Sequence, residues 1–173
     1  MNLFILDTNP AIAAEMNCDS HVCKIILETL QMMSLAHLEY GSEQPGLWNA
    51  HTHRNNHVSK WVRENTANYS WTAEHALALC SEYTIRYNKV HKCQPMIEWC
   101  AVHLPPLPVS GMSPFRQAVA EDCYHDDPVI AYHMYYVRYK RSFAKWKLGN
   151  TPMWFVDLCN IEDMKVKHAT MAV

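Results

Sequence analysis

Four polar residues, His21, Lys24, Glu28 and Gln31, lie inside the otherwise apolar stretch "DSHVCKIILETLQMM", residues 19–33. Spacings of three and four place side chains on one face of a helix. At 100° per residue these four fall within an arc of about 80°. Leu27 and Leu35 flank or interrupt that arc, so protein rather than open water is expected around it. Glu28 follows Lys24 by four residues, the spacing of an ion pair. The stripe has two readings. One is a solvated face with an ordinary ion pair. The other is a carboxylate held in a partly dry cleft beside a lysine and a histidine, where it can act as acid, base or charge stabiliser.

Two further clusters carry chemistry. "YYVRYKRSFAKWK", residues 135–147, contains Arg138, Lys140, Arg141, Lys145 and Lys147 with no acid among them. Tyr135, Tyr136, Tyr139, Phe143 and Trp146 are interleaved. Cations can meet phosphates while aromatics stack bases. The same pattern also describes an amphipathic helix with its aromatics inward. "HTHRNNHVSKWVR", residues 51–63, gathers His51, His53 and His57 with Arg54, Lys60 and Arg63. It reads as a polar loop entering a helix, as a phosphate or sugar contact surface, or as a metal site on the three histidines. Trp61, Tyr69 and Trp71 are expected in the core. There is no glycine-rich phosphate loop, no G-x-S-x-G and no H-E-x-x-H, and no cofactor is called for.

The elements that position these residues are helical. A chain of 173 residues is expected to be one domain, residues 1–173, burying about 70% of its unfolded surface. Only 4 glycines disfavour a sheet-rich fold with many tight turns. The net charge of -2 means that any nucleic-acid contact must come from a local patch. Seven cysteines, an odd count with no C-x-x-C pair, read as free thiols in a reducing cytosol. The start "MNLFILD" lacks signal-peptide features and no apolar run reaches membrane-span length, so the expected location is cytoplasmic, with no membrane partner.

"MNLFILDTNP" reads as a short strand or an extended lead-in, and Pro10 opens a small helix. Asp19 or Ser20 caps the next helix, which lasts to about Tyr40. A third helix is expected from about Lys60 to Tyr87, either continuous or broken near Asn68. The prolines of "HLPPLPVSGMSPF" enforce a stiff connection. The last major helix is expected to start at Pro128, capped by Asp127, and to stop at Gly149. The apolar tail from Thr151 packs back on the body. The expected fold is mainly α, a single compact helical domain.

"LDTNPAIAAEMNCDSHVCKIILETLQMMSLAH", "WVRENTANYSW", "LCSEYTIRY" and "KWKLGNTPMWF" resemble a family of small proteins common in phage genomes, over most of the chain. A more distant resemblance bears on chemistry. The phage pyrimidine-dimer DNA glycosylase/AP lyase family (endonuclease V type) has a helix with Asp, His two residues later and Glu nine residues after the Asp. Asp19, His21 and Glu28 have that spacing. Bacterial relatives carry a helix similar to D-x-x-x-x-K-x-x-x-E-x-x-Q, which Asp19, Lys24, Glu28 and Gln31 fit. The resemblance implies a helical fold of that type, DNA or a nucleotide as partner, and Glu28 as the catalytic carboxylate.

In that family the N-terminal amine attacks the deoxyribose C1′, a Schiff base forms, the base leaves and elimination cuts the strand. An α-amine suits this step, since its reference pKa of about 7.7–8.0 leaves an appreciable fraction free at neutral pH. This chain departs from the family in two respects. Asn2 is expected to hinder removal of Met1, so the amine nucleophile is either that of Met1 or absent, with Lys24 as the substitute where burial deprotonates it. The chain is also near neutral, whereas a scanner of duplex DNA is usually basic. That points towards a free nucleotide, a modified base or a single strand. Two rival readings remain. One is a non-catalytic module that binds nucleic acid or a host protein through residues 138–147. The other is a metal-dependent hydrolase or nuclease built on the histidines.

Overall fold

A computed structural model describes residues 1–42 and 53–171. Among the described residues there are seven α-helices and no strand. They are α1 (Pro10–Met16), α2 (Asp19–Glu39), α3 (His57–Val62), α4 (Thr66–Tyr87), α5 (Gln94–Val102), α6 (Pro128–Tyr139) and α7 (Met153–Met171). Helix α4 is the central element, with α1, α2, α3 and α5 packed on it, while α6 pairs with α7. No described helix is long and apolar enough to cross a membrane.

The face of α2 formed by Val22, Ile25, Ile26, Thr29, Leu30, Met33 and Ala36 is buried, as the helical period predicts. Its cap differs from expectation. Cys18 is the N-cap and makes no side-chain cap bond. Asp19 is drawn elsewhere: its carboxylate accepts from Arg86 at 3.1 Å and from the Lys147 N–H at 2.8 Å. Arg86 is fully buried and also bonds Glu82 and the carbonyls of Asn17 and Glu15. One guanidinium therefore ties α4 to the end of α1 and the start of α2, the helix that carries the polar stripe.

The third helical segment is broken at residues 63–65 rather than near Asn68. Asn65 caps α4 through the Asn68 N–H, while the Asn68 amide bonds the Trp61 carbonyl and the Ser113 hydroxyl. Asn68 thus stays helical and braces the break from within. Trp61, Tyr69 and Trp71 are buried. Helix α5, with Pro95 in its first turn, is an addition to the sequence reading.

Helix α6 begins as expected, with Asp127 accepting from the Val129 N–H, but it ends at Tyr139 instead of running to Gly149. Residues 140–148 turn back because the body offers better partners than another helical turn. The Lys145 carbonyl accepts from the Asp19 N–H, and the Trp146 indole donates to the Met16 carbonyl while packing on Phe155. The apolar tail then forms α7 from Met153, so α6 is not the last major helix.

The lead-in forms no strand. Leu3, Phe4, Ile5 and Leu6 are all buried, and Phe4 adopts a left-handed φ of 51°. The stiff connection crosses beside it: the Ser113 carbonyl accepts from Trp61, the Gln117 carbonyl from His57, and the Ala118 carbonyl from the Asn2 side chain.

Candidate functional site

Helix α2 and the lead-in meet at Glu28. Its Oε2 accepts the Asn2 N–H at 2.9 Å and lies 3.7 Å from the Met1 amino group. Its Oε1 lies 3.4 Å from Lys24 Nζ. The Glu28 side chain is 16% exposed and that of Lys24 is 69% exposed. Lys24 is therefore the solvent-side partner of a mostly covered carboxylate, and the burial that would make it a nucleophile is absent.

Asn2 holds the amine in place. Its side-chain N–H donates to the Ala118 carbonyl at 2.8 Å. Its Oδ1 accepts from the Phe4 N–H and from the Tyr132 hydroxyl. With its own N–H on Glu28, the residue has its backbone donor and both ends of its amide engaged, which fixes the direction of the peptide that carries the Met1 amine. The result is a cleft of about 280 Å³ bounded by Met1, Glu28, Lys24, Phe4, Tyr135 and Lys140.

His21 forms part of the same wall. Its ring stacks on Phe4 at 4.1 Å between centroids, and Tyr135 lies nearly parallel to Phe4 at 6.3 Å. Burial, then the Lys140 and Lys24 ammonium groups, pushes the imidazole down to about 3, so His21 is neutral at physiological pH. Its Nδ1 bonds the Tyr136 hydroxyl, which also meets Asn17 Oδ1 at 3.1 Å. The Asn17 side-chain N–H is taken by the Ala13 carbonyl, which leaves Oδ1 as the acceptor for Tyr136. All three groups are satisfied when Tyr136 donates to Asn17 and His21 Nδ1–H donates to Tyr136. The lone pair then sits on His21 Nε2.

The remaining expected contact residues are dispersed. Arg54 and Arg63 both pair with Glu39 at 2.7 Å. Arg138 pairs with Asp122 and Glu162, and Arg141 makes a two-pronged pair with Asp163 at 2.7 and 2.8 Å. Trp146 is buried. Lys60 is exposed on α3, and His57 reaches the cleft's surroundings only through Gln117, the neighbour of Ala118. Of the basic residues in 135–147, Lys140 lines the cleft, with its Nζ 4.5 Å from the Tyr135 ring centre. Lys145 borders a larger and more open groove of about 560 Å³ with Asp19, Trp146, Lys147 and Phe155. The carboxylate of that groove is already engaged by Arg86 and the Lys147 N–H, so it offers no free acid or base.

His51 lies outside the described residues. Among the described residues, no group of three His, Cys, Asp or Glu side chains is placed to hold a metal ion. All seven cysteines are free, and burial raises the Cys80 thiol to about 12 and the Cys100 thiol to about 11, which keeps both protonated. Asn2, Phe4, Ala118 and Tyr132 belong to the site without having been marked by the sequence. Their local signal is a hydrophobic lead-in, an unremarkable loop and one tyrosine on the buried face of α6, and their roles depend on contacts more than a hundred residues away. No family model, curated protein or solved structure matches the chain.

Proposed function

We propose that the protein is a DNA base-processing enzyme, an N-glycosylase with AP lyase capacity that acts on a damaged or modified pyrimidine. The reading rests on one observation: an α-amine and a mostly covered carboxylate stand 3.7 Å apart in a cleft walled by aromatics and lysines. This is the pairing implied by the resemblance to the pyrimidine-dimer glycosylases.

In this chemistry the amine lone pair attacks C1′ and the glycosidic C–N bond breaks, so the base leaves with the bonding electrons and a proton. The attacking nitrogen must shed its proton, and Glu28, 3.7 Å away, is placed to receive it through one bridging water or after a small approach. The same carboxylate stabilises positive charge on the sugar as the base departs. Opening of the sugar gives a Schiff base between C1′ and the amine. Loss of a C2′ proton then expels the 3′ phosphate. Lys24 keeps Glu28 oriented, and neutral His21 offers Nε2 as an acceptor at the wall.

The test is borohydride trapping. The protein is incubated with oligonucleotides carrying a cyclobutane dimer, an abasic site, uracil or a hydroxymethylated base, then reduced and mapped by mass. A covalent adduct on the Met1 amine is the expected result. Absence of adduct on every substrate overturns amine catalysis on these substrates and leaves a water-using glycosylase, another nucleotide substrate or a non-catalytic binding module.

A further inference from the structure

Helix α7 is fastened to the body along one side. Phe155, Cys159 and Asp163 lie on that side, the first two buried and the last held by Arg141. On the far side Asp157, Leu158, Ile161, Met164 and Lys165 fall within about 60° of one line. Ile161 is 41% exposed and Met164 52%. Residues 163–168 are all exposed, and a helical end of that length is marginal in water unless another surface covers it. Trp154, Ile161 and His168 follow one another along the line at seven-residue spacing, the period of a helix that meets a second helix along its length.

The same face borders a groove. Between α6 and α7 lies a space of about 420 Å³ lined by Ile130, His133, Met134, Trp154, Asp157 and Leu158. His133 stacks on Trp154, so the walls are apolar apart from Asp157. Glu162 and Asp163 are engaged by Arg138, Lys165 and Arg141. Asp157 is exposed and, among the described residues, is the one acid of α7 without an ion pair. The cations of α7, Lys165 and Lys167, lie two turns further on. Lys165 touches Glu162 on its own helix, but its side chain is 63% exposed and can meet a second carboxylate.

We propose that this face binds a second copy of the chain, α7 pairing antiparallel with α7 across a two-fold axis at Ile161. Ile161 then meets its own copy, Leu158 faces Met164 of the second copy, and Asp157 faces Lys165 of the second copy. The outer half of each α7 lies on the α6–α7 groove of the other, which supplies the cover that both surfaces lack. Charge selects the direction. A parallel pair sets Asp157 on Asp157 and Lys165 on Lys165, whereas the antiparallel pair makes the opposite-charge contact twice, as two-fold symmetry requires. The cleft at Glu28 shares no residue with this face, and the inference does not rest on the base-processing reading.

Sedimentation of the full chain over a concentration series tests this. A contact of two helices and a groove is a small interface, so a monomer–dimer equilibrium is expected between about 1 and 300 µM. Ile161→Lys puts two like charges on the axis at an exposed position and should weaken the dimer at least about tenfold with an unchanged melting temperature. Asp157→Lys and Lys165→Glu each invert both symmetric pairs, and each alone should weaken self-association about tenfold. Mixed together, these two variants restore both pairs and should associate within about threefold of the wild type. A wild type that stays monomeric throughout the series overturns the proposal. So does a dimer indifferent to Ile161→Lys, which uses another face. A mixture of the two charge variants that associates no better than either alone overturns the antiparallel register, and with it the proposal.

Discussion

Glu28→Gln separates a carboxylate that merely clamps the N-terminus from one that works on a substrate. Glutamine keeps the shape and can still accept the Asn2 N–H, now as a neutral bond in place of a charge-assisted one. That exchange costs about 1 kcal/mol. The Lys24 pair is solvent-exposed and contributes about 0.3–0.5 kcal/mol. The contact with the Met1 amine adds at most about 1 kcal/mol. The sum is about 2 kcal/mol, against a domain stability of about 5–15 kcal/mol, so the variant is expected to fold. A positioned proton acceptor is worth about 10²–10⁴ in rate. The trapping rate on the best substrate should therefore fall at least about 100-fold, equivalent to about 2.7 kcal/mol of barrier. Urea melts and borohydride trapping on the same preparation read the two effects. A variant that loses about 2 kcal/mol but traps within about threefold of wild type would refute the catalytic role and leave a structural clamp. Glu28→Asp, which keeps the charge but withdraws it by one methylene, should recover stability more than rate.

Other outcomes follow from the buried polar groups. Burial lowers His21 and His75 to about 3 and His37 to about 4, from 6.5 in the unfolded chain. Below 6.5 the unfolded chain binds these protons and the native state does not, so their full stability is present above 6.5 and is lost as pH falls towards 3–4. The slope is about 1.4 kcal/mol per pH unit per histidine, and a urea midpoint that is flat between pH 7 and 5 would contradict it. Arg86→Met strands Asp19, Glu82 and two carbonyls around a fully buried position, and should cost about 3–5 kcal/mol by chemical denaturation. A loss below about 1 kcal/mol would show that the cluster is not the anchor of α2. Tyr132→Phe removes the acceptor of the Ala118 N–H and one donor to Asn2, and should cost about 1–3 kcal/mol. It should also slow trapping by freeing the Asn2 side chain; unchanged trapping would mean that Asn2 is held by its other bonds.

What the sequence determined by itself is local. The 3.6-residue period of α2, the prolines that open α1 and α6, the Asp127 cap and the i,i+4 spacing of Lys24 and Glu28 all act within a few residues of chain. Each is present in the structure. The same holds for the burial of Trp61, Tyr69 and Trp71, whose size and apolarity require it. Tertiary structure decided what depends on a choice among distant partners. A run of five cations without an acid looks the same whether it faces phosphate or protein. Only the folded chain delivers Asp122, Glu162 and Asp163 to Arg138 and Arg141 and leaves Lys140 in the cleft. Helix α6 stops at Tyr139 because Asp19 and Met16 compete successfully for residues 145–147, although nothing in residues 140–148 forbids helix. The Met1 amine reaches Glu28 because Asn2 is gripped by Phe4, Ala118 and Tyr132, the last two more than a hundred residues along the chain. Such contacts have no period and no spacing. They follow from which surfaces are brought together once the helices pack, so the residues of the stripe were legible in advance and the cleft they form was not.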